Sequence, residues 1–251
     1  MLDNVINIYK KAGQTPLDCI NILKKEKDEL RFIPMTYAGR LDPLAEGVLL
    51  ILVGDECLKK DEYLSLPKEY EVDILLGFAT DTYDEMGKVI KFEKSEDFKN
   101  FATKIQKILP RFIGRIKQSY PPYSSRTVNG KPLFEWAREG KLEEIEIPSH
   151  DVFVENIEIL EEESYLGSEL LSKIKEDIGK VKGDFRQKEI INIWEKELIN
   201  KYEEKYYVIK LRISCGSGVY VRGIANEIGE KLGVGALALK IVRTKVGDYS
   251  I

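Results

Sequence analysis

The sequence predicts an α+β domain carrying a helical-hairpin insertion. Two segments alternate at the period of a strand, Glu69 to Leu76 and Tyr207 to Cys215. Segments of helical period stand between and after them, at Ser95 to Leu109 and Val221 to Leu232. Strands and helices interleave without a strict βαβ rhythm, which favours α+β over a doubly wound sheet.

Each element has a local cause. Thr15-Pro16 reads as a helix start, with threonine at the N-cap and proline at the first helical position. Val48 to Val53 is a six-residue apolar run and reads as a buried strand. In the first alternating segment Tyr70, Val72, Ile74 and Leu76 share one face, and Glu69, Glu71 and Asp73 the other, the mark of a half-buried strand. Phe98, Phe101, Ala102, Ile105, Ile108 and Leu109 form the stripe of the 95–109 helix. Tyr207, Ile209, Leu211 and Ile213 point inward from the second strand. The last helix buries Val221, Ile224, Ala225, Ile228 and Leu232 and stops at Gly233. Residues 161–205 are highly charged with a helical pattern, Ile190, Ile191, Trp194 and Leu198 lining one face. Two helices fit there, Ser168 to Lys180 and Arg186 to Asn200, with Asp184 and Gln187 offering a capping box.

At 251 residues and 43% hydrophobic, the chain can build one sizeable core. The six-residue apolar run is far short of the roughly 20 residues of a membrane helix. The N-terminus has no secretory-signal pattern, so a cytoplasmic protein is expected. Three scattered cysteines make no C-x-x-C pair and read as structural thiols. The single histidine, His150, excludes chemistry that needs two and reads as a surface side chain in a polar turn. Net charge is −4, which argues mildly against nucleic acid. The acids concentrate at Glu143 to Glu146, Glu158 to Glu163 and Glu195 to Glu204, leaving the remainder closer to neutral. Asp81, Asp84 and Glu85 lack the order of a calcium loop and read as a turn.

The segment Tyr37 to Gly54 carries the chemistry. Asp42 is followed by Pro43, which restricts the aspartate to an extended backbone, and Gly39 and Gly47 permit turns on either side. An acid on a rigid loop against an apolar strand suits a nucleophile or base; a turn or N-cap aspartate is the plainer alternative.

Gly39-Arg-Leu-Asp-Pro-Leu-Ala-Glu-Gly47 resembles the active-site motif of the TruB family of pseudouridine synthases. Further segments match in the family's order: Lys68-Glu-Tyr70; Leu76-Gly-Phe-Ala-Thr-Asp-Thr-Tyr-Asp84 with Gly87; Gln118, Pro121, Tyr123-Ser124, Gly130 and Phe134 to Gly140; Gly218-Val-Tyr220-Val-Arg222; and Leu232 to Ala236. The resemblance covers nearly everything outside 161–205. It implies a pseudouridine-synthase-like mixed, mainly antiparallel sheet flanked by helices, in a single catalytic domain over 1–251 without the small PUA-type RNA-binding domain of many members.

It also implies an activity: isomerisation of uridine 55 in the T loop of tRNA, after base flipping, with Asp42 as nucleophile. Tyr70 would face the displaced base, and Arg222 would pair with Asp42. Tyr37, Gly39, Arg40, Leu41, Lys68 and Tyr220 would form the uridine pocket. Nothing is oxidised and no group is donated, so no cofactor or metal is expected. The partner is the tRNA T arm, with no membrane and no protein partner, and a monomer as the default. Lys10, Lys11, Arg40, Lys68, Arg126, Lys131 and Arg138 are candidate phosphate contacts.

The chain departs from the family pattern in places. Tyr37 stands where a histidine is common, and Arg40 replaces a threonine, giving G-R-L-D as in the ribosomal-RNA synthases of the RsuA group. The opening D-K-P-x-G-x-[ST]-S is reduced to Tyr9 to Pro16, and the near-terminal L-R-R becomes Ile241-Val242-Arg243. A synthase for another RNA and a non-catalytic tRNA-binding or tRNA-folding protein are the alternatives.

Overall fold

A computed structural model describes residues 4–93 and 101–251 of the chain. Its strands and helices, in chain order, are β1 (Val5–Lys10), α1 (Pro16–Glu26), β2 (Met35–Ala38), β3 (Glu46–Val53), α2 (Lys60–Ser65), β4 (Lys68–Leu76), β5 (Phe78–Thr80) and β6 (Val89–Phe92). Then follow α3 (Phe101–Ile108), β7 (Gly114–Ser119), β8 (Thr127–Val128), β9 (Lys131–Pro132), α4 (Leu133–Arg138) and β10 (Ser149–Leu166). The chain closes with α5 (Gly167–Lys180), α6 (Gln187–Leu198), β11 (Lys205–Cys215), α7 (Val221–Leu232), β12 (Ala236–Val246) and β13 (Tyr249–Ser250). No helix among the described residues is long and apolar enough to cross a membrane.

The main sheet runs β1-β3-β12-β4-β11-β10-β7, with β2 also on β3 and β13 on β12. All pairings are antiparallel except β3 with β12, where Glu46 and Gly47 meet Val242 and Arg243 in parallel. The mixed, mainly antiparallel sheet flanked by helices is therefore present. That parallel contact matters for function, because it anchors the first residues after the Asp42 loop to the middle of the sheet. Gly47 makes the contact possible: a Cβ there would lie 2.1 Å from the Arg243 carbonyl oxygen.

The helix over α1 starts as its sequence dictates. Thr15 Oγ1 accepts from Asp18 N at 3.0 Å and Asp18 Oδ2 accepts from Thr15 N at 2.8 Å, a reciprocal cap worth about 1 kcal/mol. Its apolar face, Cys19, Ile20 and Leu23, covers Leu49, Ile51 and Val53 of β3. Val48, Leu50 and Leu52 are buried on the other face, which is why β3 is a continuous apolar run and not an alternating one.

The central strands are also covered on both sides. Val72, Ile74, Leu76, Leu211 and Ile213 pack under α3 and α7, against Phe101, Ile105, Ile224 and Ile228. On the opposite face Leu75, Phe78, Val208 and Leu237 lie under α5 and α6. Leu170, Ile174, Ile178, Ile190, Trp194 and Leu198 of this hairpin are fully buried. Each such side chain gains about 1.5–3 kcal/mol on leaving water, so the hairpin is held firmly against the sheet. Leu75 and Val208 break the simple alternation expected of β4 and β11, because the hairpin turns their outer face into a second core.

Two local expectations are corrected, and a third falls partly outside the described residues. Residues 161–166 continue β10, pairing to Leu166↔Lys205, so the helical part begins at Gly167. The acidic run there is the exposed edge of a strand, with Glu161 facing Lys210. The Asp184–Gln187 capping box does not form: α6 begins after Arg186, in the left-handed region at φ 63°, and Gln187 Oε1 accepts from Phe185 N instead. Of the helix expected at 95–109, residues 95–100 lie outside the described residues, and α3 accounts for Phe101–Ile108.

Candidate active site

Asp42 sits in the loop between β2 and β3, and two buried cations hold that loop by its backbone. Lys10, fully buried on β1, donates from Nζ to the carbonyls of Ala45 (2.6 Å), Pro43 (3.2 Å) and Asp42 (3.3 Å). Burial pulls its pKa down to about 8, against the raising influence of Cys19 and Asp42. Arg243 of β12, also buried, donates from Nε to the Val48 carbonyl at 2.8 Å and from Nη2 to the Gly39 carbonyl at 3.0 Å. Gly39 adopts φ +81°, a left-handed turn, and brings its Cα face against the Arg243 guanidinium. Leu41 is buried in the central core. The loop is thus fixed at both ends while the Asp42 side chain stays 38% exposed.

Arg222, in the first turn of α7 and 3% exposed, reaches three acceptors in one plane. Its Nε donates to Asp42 Oδ2 at 2.9 Å, Nη2 to the Tyr123 carbonyl at 3.0 Å, and Nη1 to the Thr82 carbonyl. Burial alone would weaken its charge, but Asp42 and then Asp84 more than offset this and hold its pKa above the ordinary value. Arg222 therefore joins three segments of the chain: the Asp42 loop, the Asp81–Gly87 turn and the Tyr123 loop.

Behind Arg222 lies a second acid, half-buried and lining the larger of two cavities. Burial pushes Asp84 up to about 6, with Arg222 opposing; its Oδ1 accepts from Thr82 Oγ1 and from Met86 N at 3.0 Å. Asp81 forks to Arg186 at 2.7 and 3.3 Å and accepts from Lys88 N at 2.8 Å. These carboxylates serve as turn and ion-pair groups.

Two cavities meet at the Asp42–Arg222 pair, which lines both together with Arg40, Leu41 and Tyr220. One, of about 320 Å³, is also lined by Gly39, Lys68, Tyr70, Arg243 and the Gly216–Val219 turn. Tyr70 is half-buried on β4, and burial raises its pKa, with Arg243 beside it opposing, so its hydroxyl is neutral near pH 7. The other cavity, of about 420 Å³, extends past Thr82 and Tyr123 to the turn between α5 and α6. Tyr220 is fixed by Gln118, whose amide both accepts from Tyr220 N at 2.8 Å and donates to its carbonyl at 3.0 Å. His150 is not in a polar surface turn. It is the second residue of β10, stacks on Tyr120 at 4.1 Å between ring centres and meets Tyr220 edge-on at 6.2 Å.

Not every expected residue comes to the site. Tyr37 lines neither cavity; its strand register pairs it with Ile51, and its ring packs with the α1 cluster beneath Lys60. Its neighbour Ala38 packs with Val48 and Leu50 on the other face of the sheet, so the alternation of β2 commits Tyr37 to the α1 side. Lys68 lines the Tyr70 cavity, but its ammonium is turned to the carbonyls of Leu64 and Leu66, and burial lowers its pKa to about 8, so it is a brace and not a phosphate contact. Lys10 is likewise a brace. Lys131 is paired with Glu139, and Arg138 donates to the Asp184 carbonyl at 3.1 Å. Arg126 lies over Tyr120, and Arg40 remains exposed at the mouth of both cavities. The roles of Arg243 and Asp84 were not anticipated. Arg243 had a signal, a charge two residues after Ile241 and so in the same inward register of β12.

The model of the TruB family pseudouridylate synthase N-terminal domain matches residues 27–181. The chain belongs to that family. It is similar to tRNA pseudouridine synthase B of Ligilactobacillus salivarius, with 33% identity over 255 residues covering 100% of this chain and 69% of the relative. With the enzyme of the same name from Clostridium tetani, identity is 30% over 250 residues, covering 100% and 70%. Among solved structures, a Cbf5-Nop10-Gar1 complex shares the fold with a TM-score of 0.57 at 21% identity, over 98% of this chain and 49% of that chain. An H/ACA RNP bound to a substrate RNA containing 2′-deoxyuridine gives 0.54 at 20%, over 98% and 48%. The chain spans about 70% of those curated relatives and about half of those solved chains. The family match and the whole-chain relatives both include the Asp42 loop.

Proposed function

We propose that this chain is a tRNA pseudouridine synthase that isomerises uridine 55 of the T loop, with Asp42 as nucleophile. The observation that carries the reading is the Arg222–Asp42 contact at 2.9 Å, at the junction of the two cavities and opposite Tyr70. A guanidinium keeps its charge when buried, so its fixed donor aims the Asp42 carboxylate into the cavity. The uridine leaves its stack, at a cost of a few kcal/mol, and enters the Tyr70 cavity, where the ring supplies a stacking face.

Asp42 then forms a covalent bond to the uridine and the N1–C1′ bond breaks. The uracil turns, C5 bonds to C1′, the bond to Asp42 breaks and returns its electron pair to the carboxylate, and the proton lost from C5 is balanced by one gained at N1. The product is an isomer of the substrate, so no oxidant, reductant or group donor enters the balance. The Tyr70 hydroxyl faces the base and is the group nearest to the late proton transfer. Arg40, exposed at the cavity mouth, contacts the RNA backbone. The relatives' names, which specify tRNA, support this substrate over another RNA.

The test is pseudouridine formation in an unmodified tRNA transcript with divalent metal chelated, comparing wild type with Asp42→Asn. Conversion at the T-loop uridine by wild type alone is expected. Transcript binding without any conversion by wild type would leave an RNA-binding protein, and activity surviving in Asp42→Asn would remove the nucleophile from the mechanism.

A further inference from the structure

We propose that the turn of the helical hairpin, between α5 and α6, is an RNA-contacting wall: the larger cavity takes a nucleotide of the substrate other than the target uridine, with Phe185 against its base and Lys182 against its phosphate. This rests on the function proposed above. The Tyr70 cavity accounts for one base. The cavity on the other side of Asp42, about 420 Å³, lies in the range of ligand pockets and is continuous with the first through the shared Asp42, Arg40 and Tyr220. Whatever fills it is contiguous with the uridine, and a strand of the same RNA meets that condition.

The far wall of this cavity comes from Val181, Lys182, Phe185 and Arg186, residues that lie outside every family-like motif. It is a fixed wall. Arg186 forks onto Asp81, and its guanidinium carbon lies 4.4 Å from the centre of the Tyr123 ring. Arg138 donates to the Asp184 carbonyl, and Gln187 Nε2 closes the turn onto the carbonyls of Val181 (3.1 Å) and Gly183 (2.7 Å). The end of α5 is seated on the Asp42 side as well: a Cβ on Gly13 would lie 2.2 Å from the Lys180 carbonyl oxygen, and Gly13 N donates to the Pro43 carbonyl at 2.9 Å. A hairpin that only covered the sheet would need its buried apolar face and none of these ties.

The chemistry of the wall suits a nucleotide. Arg186 and Arg138 are engaged by protein acceptors, whereas Lys182 is exposed and supplies a point charge for phosphate. Phe185 is half-buried with its ring lining the cavity, a stacking face that accepts any base.

The proposal is tested with Lys182→Glu, Lys182→Ala and Phe185→Ala, read by turnover and by equilibrium binding of an unmodified tRNA transcript. Lys182 is exposed, so its variants fold even if Phe185→Ala does not. A rise of about tenfold in KM with kcat within about threefold is expected for Lys182→Glu and Phe185→Ala. Loss of one phosphate contact in Lys182→Ala lowers the slope of log K against log salt by about 0.7–0.9, a change that a purely structural lysine would not produce. An unchanged KM together with an unchanged salt slope overturns the proposal. Failure of wild type to convert any uridine would instead refute the function above. The salt slope of binding then still decides the wall: a smaller slope in Lys182→Ala supports it, and equal slopes overturn it.

Discussion

Arg222 Nε stands 2.9 Å from Asp42 Oδ2, and the remaining nitrogens of the same guanidinium are spent on the carbonyls of Tyr123 and Thr82. The pair is asymmetric: the arginine is almost wholly buried, and the aspartate is open to the cavities. A buried cation with fixed partners therefore orients an accessible anion.

That asymmetry predicts the outcome of Arg222→Lys. An ammonium keeps the charge but cannot meet three acceptors lying in a plane, so at least one buried carbonyl loses its donor. The expected result is a loss of roughly a hundredfold in single-turnover rate and about 1–3 kcal/mol in stability, with transcript affinity changed only a few-fold. Quench-flow assay and urea denaturation measure the two effects. Near-wild-type turnover would show that charge alone suffices.

Lys10 makes a different prediction, because it touches the loop's backbone and not the carboxylate. In Lys10→Met the carbonyls of Asp42, Pro43 and Ala45 lose their shared donor, at a cost of about 1–3 kcal/mol. The loop loosens and kcat falls more than KM rises. A variant with normal stability and normal kcat would deny the brace any role.

Tyr70 separates ring from hydroxyl. Tyr70→Phe keeps the stacking face and is expected to bind the transcript within about threefold of wild type while losing roughly a hundredfold or more in turnover. Tyr70→Ala is expected to weaken binding as well. If Tyr70→Phe turns over normally, the proton transfer belongs to another group.

Asp84 gives a pH dependence of stability. Its folded pKa, about 6, is above the ordinary 3.8, so the folded state binds the proton more tightly than the unfolded chain does. The stability this contributes is complete below about pH 4 and is lost as pH rises through about 6. Asp84→Asn keeps an oxygen for Thr82 and Met86 N without the half-buried charge. It should flatten that decline and gain up to about 3 kcal/mol at pH 7 relative to wild type. The check is thermal unfolding from pH 4 to 8, where parallel profiles for the two proteins would refute the assignment.

Much of this was legible in the sequence because it is local. The Thr15 cap, the Gly233 stop, the apolar β3 run and the two hairpin helices each follow from spacing and end residues within a turn or two. The same holds for the rigid Asp42 loop, where glycine, proline and an apolar strand occur together. His150 and the start of the hairpin were misread because charged and polar residues on a strand edge look like those of a turn or a helix until the partner strand is known.

Family resemblance pointed to Asp42, Tyr70 and Arg222, and composition bounded the core, from the sequence by itself. Only tertiary structure decided which cations are free. Lys10 and Lys68 read as candidate phosphate contacts and Arg243 only as the end of the near-terminal Ile241-Val242-Arg243, yet each is buried and bonded to backbone carbonyls. Tyr37 lies five residues from Asp42 and faces away, whereas Phe185 and Lys182, some 140 residues distant, line the cavity that Asp42 opens onto. Sequence carries the period of a face, but which faces meet depends on how the sheet orders its strands, and that order is set by long-range burial.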